Sequence, residues 1–131
     1  MTVNVTAYLC CNGAAQALEF YHGAFGAEEL SRMEGPDGKL GHAEMRIGET
    51  VLFVSDEWPE GNVWDPKHLG GAAVSFVMQV ADADTSFAHA VAKGCTIDRP
   101  VREEPFGRAG WVIDPWGYHW CIFRPPSAAA G

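Results

Sequence analysis

The sequence is short of positive charge: nine Lys and Arg stand against 17 Asp and Glu, for a net charge of −8. The basic residues form no cluster, so a phosphate backbone or an anionic membrane surface would repel the chain. Nucleic acid and membranes are therefore excluded as expected partners. No apolar run approaches the ~20 residues of a membrane span. The start, MTVNVTAYLC, lacks the basic stretch and long apolar stretch of a secretion signal, and a cytoplasmic location is expected. The four cysteines, Cys10, Cys11, Cys95 and Cys121, include no CxxC pair, and reduced thiols are the expectation. A Gly-rich phosphate loop, a Ser-His-Asp pattern and a dinucleotide fingerprint are all missing.

What is present suits a globular domain. The 131 residues are 47% hydrophobic and 20% charged, enough to bury a core in a single domain without staples. Residues 3–10 read as a strand. AAQALEFYHGAF at 14–25 carries Leu18, Tyr21 and Phe25 at helical spacing, with Asn12 as the cap and Gly26 just past the end. GPDG at 35–38 is a turn, 39–47 and 50–55 are strands joined at Gly48-Glu49, and 56–72 is a loop with two tryptophans. Then the pattern starts again: strand 73–80, Asp82 as cap, helix 83–93, an extended stretch 95–101 up to Pro100, and strands 110–113 and 118–123. Gly26 and Gly94, and Gly48 and Gly117, stand at nearly the same offset. A βαβββ unit used twice follows, with module one at about 3–56, a loop at 57–72, module two at about 73–124 and a frayed tail at 125–131.

The stretches ALEFYHGAFGAE, RMEGPDGKLGHAEMRIGETVLFVSDE and GRAGWVIDPWGYHWCIF resemble the PhnB-like group of the vicinal oxygen chelate (VOC) superfamily, over about residues 5–124. That superfamily also holds glyoxalase I, bleomycin-resistance proteins and extradiol dioxygenases. The resemblance implies an α+β fold of two βαβββ modules, their mixed sheets curling around a cavity, usually in a homodimer. Metal-dependent members draw one ligand from each of four strands. Counted onto this chain, those positions fall on Thr6, Ser75, Cys121 and Leu52 or Phe53. Such residues do not make the N/O cage that the family metals take, so no cofactor is expected.

A second arrangement is open. Alternation along 39–47 puts Leu40, His42, Glu44 and Arg46 on one face and Ala43, Met45 and Ile47 on the other. The same rule gives His119, Cys121 and Phe123 one face of the last strand. If His42, Glu44 and His119 converge, two imidazoles and a carboxylate could hold a divalent metal; the alternative is a hydrogen-bonded His42–Glu44 pair with Arg46. Tyr8, on the face of Thr6, is a pocket-lining hydroxyl or a half-buried strand residue. Trp58 and Trp64 are an aromatic wall for a flat ligand or dimer packing. Phe106 and Trp111 complete an aromatic pocket or the core, and Cys121 is a small pocket wall. Trp116 is expected at the surface or an interface, and Arg108 in solvent or against an anion.

Two functions compete. The first is a homodimeric binder of a small organic, flat or cationic molecule, held by Thr6, Tyr8, Trp58, Ser75, Phe106, Trp111, His119 and Cys121 in a cavity without the family metal. The second is an enzyme (lyase, isomerase or oxygenase) with Glu44 beside His42 as general base, or with a divalent metal at His42, Glu44 and His119.

Overall fold

Alternation of buried and open side chains from His42 to Arg46 sets the first half of the molecule, while Leu40 at the head of the strand is buried. The computed structural model describes residues 2–126, so most of the tail expected to fray, 127–131, lies outside the described residues. The chain divides into two compact units, one reaching Leu69 and the other starting at Gly70. In the first unit, β1 (Tyr8–Cys10), α1 (Ala14–Phe25), β2 (Glu28–Glu34), β3 (Leu40–Ile47) and β4 (Thr50–Ser55) are followed by a short 3-10 turn, Pro59–Gly61, and α2 (Pro66–Leu69). The sheet runs β1-β4-β3-β2, with β1 parallel to β4 and the other pairs antiparallel. Helix α1 packs on one face of it. Ala14, Ala17, Leu18, Tyr21 and Ala24 are buried on the helix, and Ala43, Met45, Leu52 and Val54 are buried on the strands. Each large side chain enclosed there contributes roughly 1.5–3 kcal/mol. His42, Glu44, Arg46 and Phe53 point to the opposite, open face.

The second unit repeats the plan. It contains β5 (Phe76–Gln79), α3 (Ala83–Lys93), β6 (Thr96–Glu104), β7 (Gly107–Ile113) and β8 (His119–Arg124), in the order β5-β8-β7-β6 with β5 parallel to β8. Asp82 caps α3 by accepting the Thr85 backbone N–H at 3.1 Å, as its sequence position predicts. Phe87 of α3 presses onto β7 at Gly110, where any Cβ would meet its ring at 2.8 Å. The α+β class and the doubled βαβββ module are thus found, as two four-stranded sheets that are not closed.

Several boundaries differ from the expectation for physical reasons. β2 was not legible, because every residue of EELSRME is exposed and no apolar alternation marks an edge strand. Charges along such an edge also discourage pairing with another chain. β6 passes through Pro100 to Glu104; it too is an edge strand, and its register shifts between Arg99 and Arg102 let the ring fit. β1 and β5 are shorter than 3–10 and 73–80. Trp116, expected at the surface or an interface, is only 9% exposed. The turn around it has the expected Gly117 N–H to Asp114 carbonyl bond of 3.0 Å. In addition, the Asp114 carboxylate accepts from the backbone N–H groups of Trp116 and Tyr118 at 3.0 Å and from the Trp120 indole at 2.9 Å. Among the described residues no helix is long and apolar enough to cross a membrane.

Asn12 is not the cap of α1. Gly13 occupies that position, and the acceptor comes from far along the chain. Asp56 Oδ1 accepts from Gly13 N at 2.8 Å and Ala14 N at 3.1 Å, while Oδ2 accepts from Leu40 N at 2.8 Å. Its own backbone N–H donates to the Leu40 carbonyl at 2.9 Å. Asp56→Ala strands three donors, and a loss of about 2–4 kcal/mol is expected in urea denaturation, with Asp56→Asn losing about half as much. An unchanged midpoint for both variants would mean that water replaces the carboxylate without cost.

Candidate functional site

On the open face of the first sheet, three polar side chains form a chain of hydrogen bonds. The partners are set by strand register: β1 pairs β4 with Tyr8 beside Phe53, and Phe53 pairs Glu44 on β3. Tyr8 Oη stands 2.6 Å from His42 Nδ1, and His42 Nε2 stands 2.9 Å from Glu44 Oε2. The Tyr8 and Phe53 rings meet edge to face at 5.5 Å, and His42 meets Phe53 at 4.8 Å, so Phe53 fixes both. Burial raises the pKa of the Tyr8 phenol; a hydrogen bond with Ser55 opposes this, and the negative charge of Glu44 adds to it. The His42–Glu44 pair is the one expected, but Arg46 does not join it. Arg46 pairs instead with Glu28 on β2, at 2.6 Å, a strand the sequence did not reveal.

A cleft of about 890 Å³ opens beside this chain. Tyr8 and Cys10 of β1, Leu40 and Gly41 of β3, Ser55 of β4 and the following segment with Trp58, Pro59 and Val63 line it. Asp37, Asp56, Glu57 and Glu60 face it against the single cation Lys39. Trp58, 59% exposed, forms one wall and is held in place by its own backbone. Its N–H and carbonyl each bond Val63 at 2.9 Å, closing a small ring. Inside that ring Gly61 leaves room for the Trp58 indole, which a Cβ there would displace. The other loop tryptophan is engaged elsewhere: Trp64 stacks on His68 at 4.1 Å and donates its indole N–H to Asn62 Oδ1 at 2.8 Å.

Of the residues expected at a ligand, Tyr8 and Trp58 line the cleft. Thr6, His42 and Glu44 do not, although Tyr8 connects the last two to it. Ser75, Phe106, Trp111, His119 and Cys121 belong to the second unit and are not among the lining residues. Ser75 and Phe106 are exposed, and Cys121 is 5% exposed. Trp111 carries the Arg99 guanidinium 5.1 Å over its ring, and His119 Nδ1 lies 3.8 Å from Asp98 Oδ2. Arg108, expected in solvent or at an anion, forms a two-pronged bond to Asp84 at 2.6 and 2.9 Å.

Neither arrangement of metal ligands fits these residues. At the family positions, Thr6 and Ser75 offer only neutral hydroxyls, Leu52 is buried under α1, and burial pushes the Cys121 thiol up, with Arg99 opposing. At the alternative position both ring nitrogens of His42 are already hydrogen-bonded. Among the described residues no group of three His, Cys, Asp or Glu is disposed to hold a metal ion. What sequence reasoning missed is the cleft itself, because Gly35–Leu40 and Ser55–Val63 are brought together by the β3–β4 pairing and the bonds of Asp56 to Leu40.

The model of the Glyoxalase/Bleomycin resistance protein/Dioxygenase superfamily matches residues 2–122. The protein named "Uncharacterized protein Mb0911c" of Mycobacterium bovis is 38% identical over 133 residues, covering 95% of this chain and 88% of its own length. Among solved structures, protein PA1353 from Pseudomonas aeruginosa superposes with a TM-score of 0.76 at 19% identity, covering 96% of this chain and all of that one (100%). The PhnB protein from Bacillus cereus gives 0.71 at 20% identity, over 93% and 99% of the two chains. At these identities the two structures speak for the fold.

The thiol in the cleft is chemically quiet. Burial pushes Cys10 up to about 12, and the carboxylates of Glu57, Asp65 and Asp56 add to the shift. Burial does the same to Cys95, also to about 12, with Asp114 contributing. An unfolded thiol loses its proton near 9 while the folded one holds it to about 12, so the unfolded state binds fewer protons over that window. Stability is therefore full below pH 9 and falls as pH rises toward 12. Thermal unfolding between pH 8 and 11 should show a flatter decline for the Cys10→Ala/Cys95→Ala double variant than for the wild type; parallel curves would remove the thiols as the cause.

Proposed function

The chain belongs to the Glyoxalase/Bleomycin resistance protein/Dioxygenase superfamily, and on that premise we propose that it binds a small, flat organic molecule in the cleft of its first unit. The observation that carries this reading is Trp58: a large aromatic left mostly exposed, yet clamped by two backbone bonds and a tight glycine at the edge of an 890 Å³ cleft. An exposed indole held rigid loses little further freedom when a planar guest stacks on it. Leu40, Pro59 and Val63 supply apolar area, and the volume lies in the range of small-molecule sites. Sequestration, in the manner of bleomycin-resistance proteins, needs no more than this.

The enzyme reading has less support. Glu44, its expected general base, has one oxygen engaged by His42 and does not line the cleft. The homodimer expected from the resemblance is part of the proposal. Val77, Ile97 and Phe106 are large apolar side chains left exposed on the second unit, and a second copy would cover them. Light scattering should give twice the 14.2 kDa chain mass, and a monomer at tens of micromolar would count against it.

Trp58 is also the reporter. Titration with planar heteroaromatic compounds should quench its fluorescence with saturation, and Trp58→Ala should weaken the same ligands about tenfold, followed by calorimetry. Gly61→Ala displaces the indole without deleting it and should weaken binding comparably. Flat titrations across a panel of planar guests would sink the reading.

A further inference from the structure

The direction of the hydrogen bonds in the Tyr8–His42–Glu44 chain decides what the cleft presents to its guest. An ionised carboxylate has no proton and can only accept, so Glu44 Oε2 takes the N–H of His42 Nε2 across 2.9 Å. In a neutral imidazole, a proton on Nε2 leaves Nδ1 with a lone pair. Besides the Ser55 hydroxyl, Tyr8 then has Nδ1 at 2.6 Å and the Gly41 carbonyl at 3.4 Å in reach as acceptors. The shorter contact has the geometry of a strong O–H···N bond, and the longer is near the limit for any bond. The phenolic proton therefore points to His42 Nδ1. What remains on Oη is lone-pair density. Ser55 is the other group near that oxygen; it has one proton, and the Asp56 carbonyl 3.1 Å away can take it when a guest arrives.

Tyr8 is the one member of the chain that lines the cleft, so its polarity is the polarity a guest meets. We propose that the Glu44–His42 pair locks Tyr8 as a hydrogen-bond acceptor, and that the cleft selects flat cations bearing an N–H donor, such as aminoheteroaromatic or amidinium nitrogens. This rests on the proposed binding of a flat molecule in the same cleft and adds to it the chemistry of the guest. The charge of the lining agrees: Asp37, Asp56, Glu57 and Glu60 outnumber Lys39. A cationic donor gains from both the aromatic wall and the acidic side. A guest offering only acceptors at Tyr8 meets lone pair against lone pair. Glu44 and His42 touch no guest in this arrangement and are positioning residues.

Two cations of like shape and charge separate this inference from the reading beneath it. 9-Aminoacridinium carries N–H donors, and 10-methylacridinium carries none. At pH 8 the wild type should bind the amino compound at least tenfold more tightly by calorimetry. Tyr8→Phe should bring the ratio close to one by weakening the amino compound alone. Glu44→Gln should narrow it as well, because a glutamine amide can donate to Nε2 and turn the Nδ1 proton toward Tyr8. Nitrogen NMR of the ligand-free protein gives an independent reading, with His42 expected as the Nε2–H tautomer. Equal binding of the two cations, or an Nδ1–H tautomer, would overturn the inference and leave the cleft reading intact. Binding of neither cation, together with no planar neutral guest, would bring down both.

Discussion

Three backbone donors converge on one carboxylate, and the first unit is arranged around that convergence. A helix start leaves its first N–H groups without intrahelical partners, and α1 begins with glycine and alanine, which bring no side-chain acceptor. Asp56, arriving after β4, accepts from Gly13 and Ala14 at 2.8 and 3.1 Å and from Leu40 at 2.8 Å. Three elements distant in sequence are pinned at one point: the entry to α1, the entry to β3 and the exit of β4. The same residues make the end of the cleft, since Leu40, Gly41, Ser55 and Asp56 all line it. A nearby carboxylate extends the scheme. Asp65, 4% exposed, accepts from Asn12 N at 3.0 Å and from His68 N at 2.9 Å, tying α2 to the same corner. Capping and cleft are therefore one construction.

The second unit solves the same problem with a carboxylate placed differently. Asp114, 2% exposed, stands at the turn between β7 and β8 and accepts from two backbone N–H groups and the Trp120 indole. Its turn thereby buries Trp116 and orients β8, while α3 is capped locally by Asp82. So identical topology does not carry identical chemistry. The long-range carboxylate of the first unit gathers loops into a cleft; the turn carboxylate of the second consolidates a core.

Much of this was legible. Alternation in KLGHAEMRI gave the buried Ala43 and Met45 and the open His42 and Glu44, because one-residue slips would expose the core face. The doubled module and the DPWG turn followed from spacing and turn chemistry. What was not legible depends on partners distant in sequence or on edges without an apolar face. β2 has no pattern to read, and Arg46 was assigned to its own strand because its partner Glu28 lay on β2. Asn12 is a good cap by residue type, yet tertiary structure supplied a better acceptor. Trp116 looked like a surface or interface residue because the burial of a turn by its own aspartate leaves no periodic trace. The candidate site was half visible: Tyr8 stands out by its hydroxyl and Trp58 by its aromatic ring, while the acidic lining comes from segments adjacent only once folded.

The replacements at the family's metal positions and the Tyr8 chain are linked by polarity. A metal ion is an electron-pair acceptor and attracts guests through their oxygen lone pairs. Thr6 and Cys121 offer only a hydroxyl and a thiol, and Tyr8 stands two residues after Thr6, where β1 begins. In the proposed arrangement the Glu44–His42–Tyr8 chain ends in a phenolic lone pair whose direction is set by a carboxylate acting through an imidazole. On the proposed reading, a phenolic lone pair in that place would favour a guest that carries N–H donors. The net charge of −8 and the acidic lining point the same way, since both raise the local concentration of cations. A fold shared by several chemistries can thus change its ligand class by altering which end of a hydrogen bond the protein holds, with the sheets left as they were.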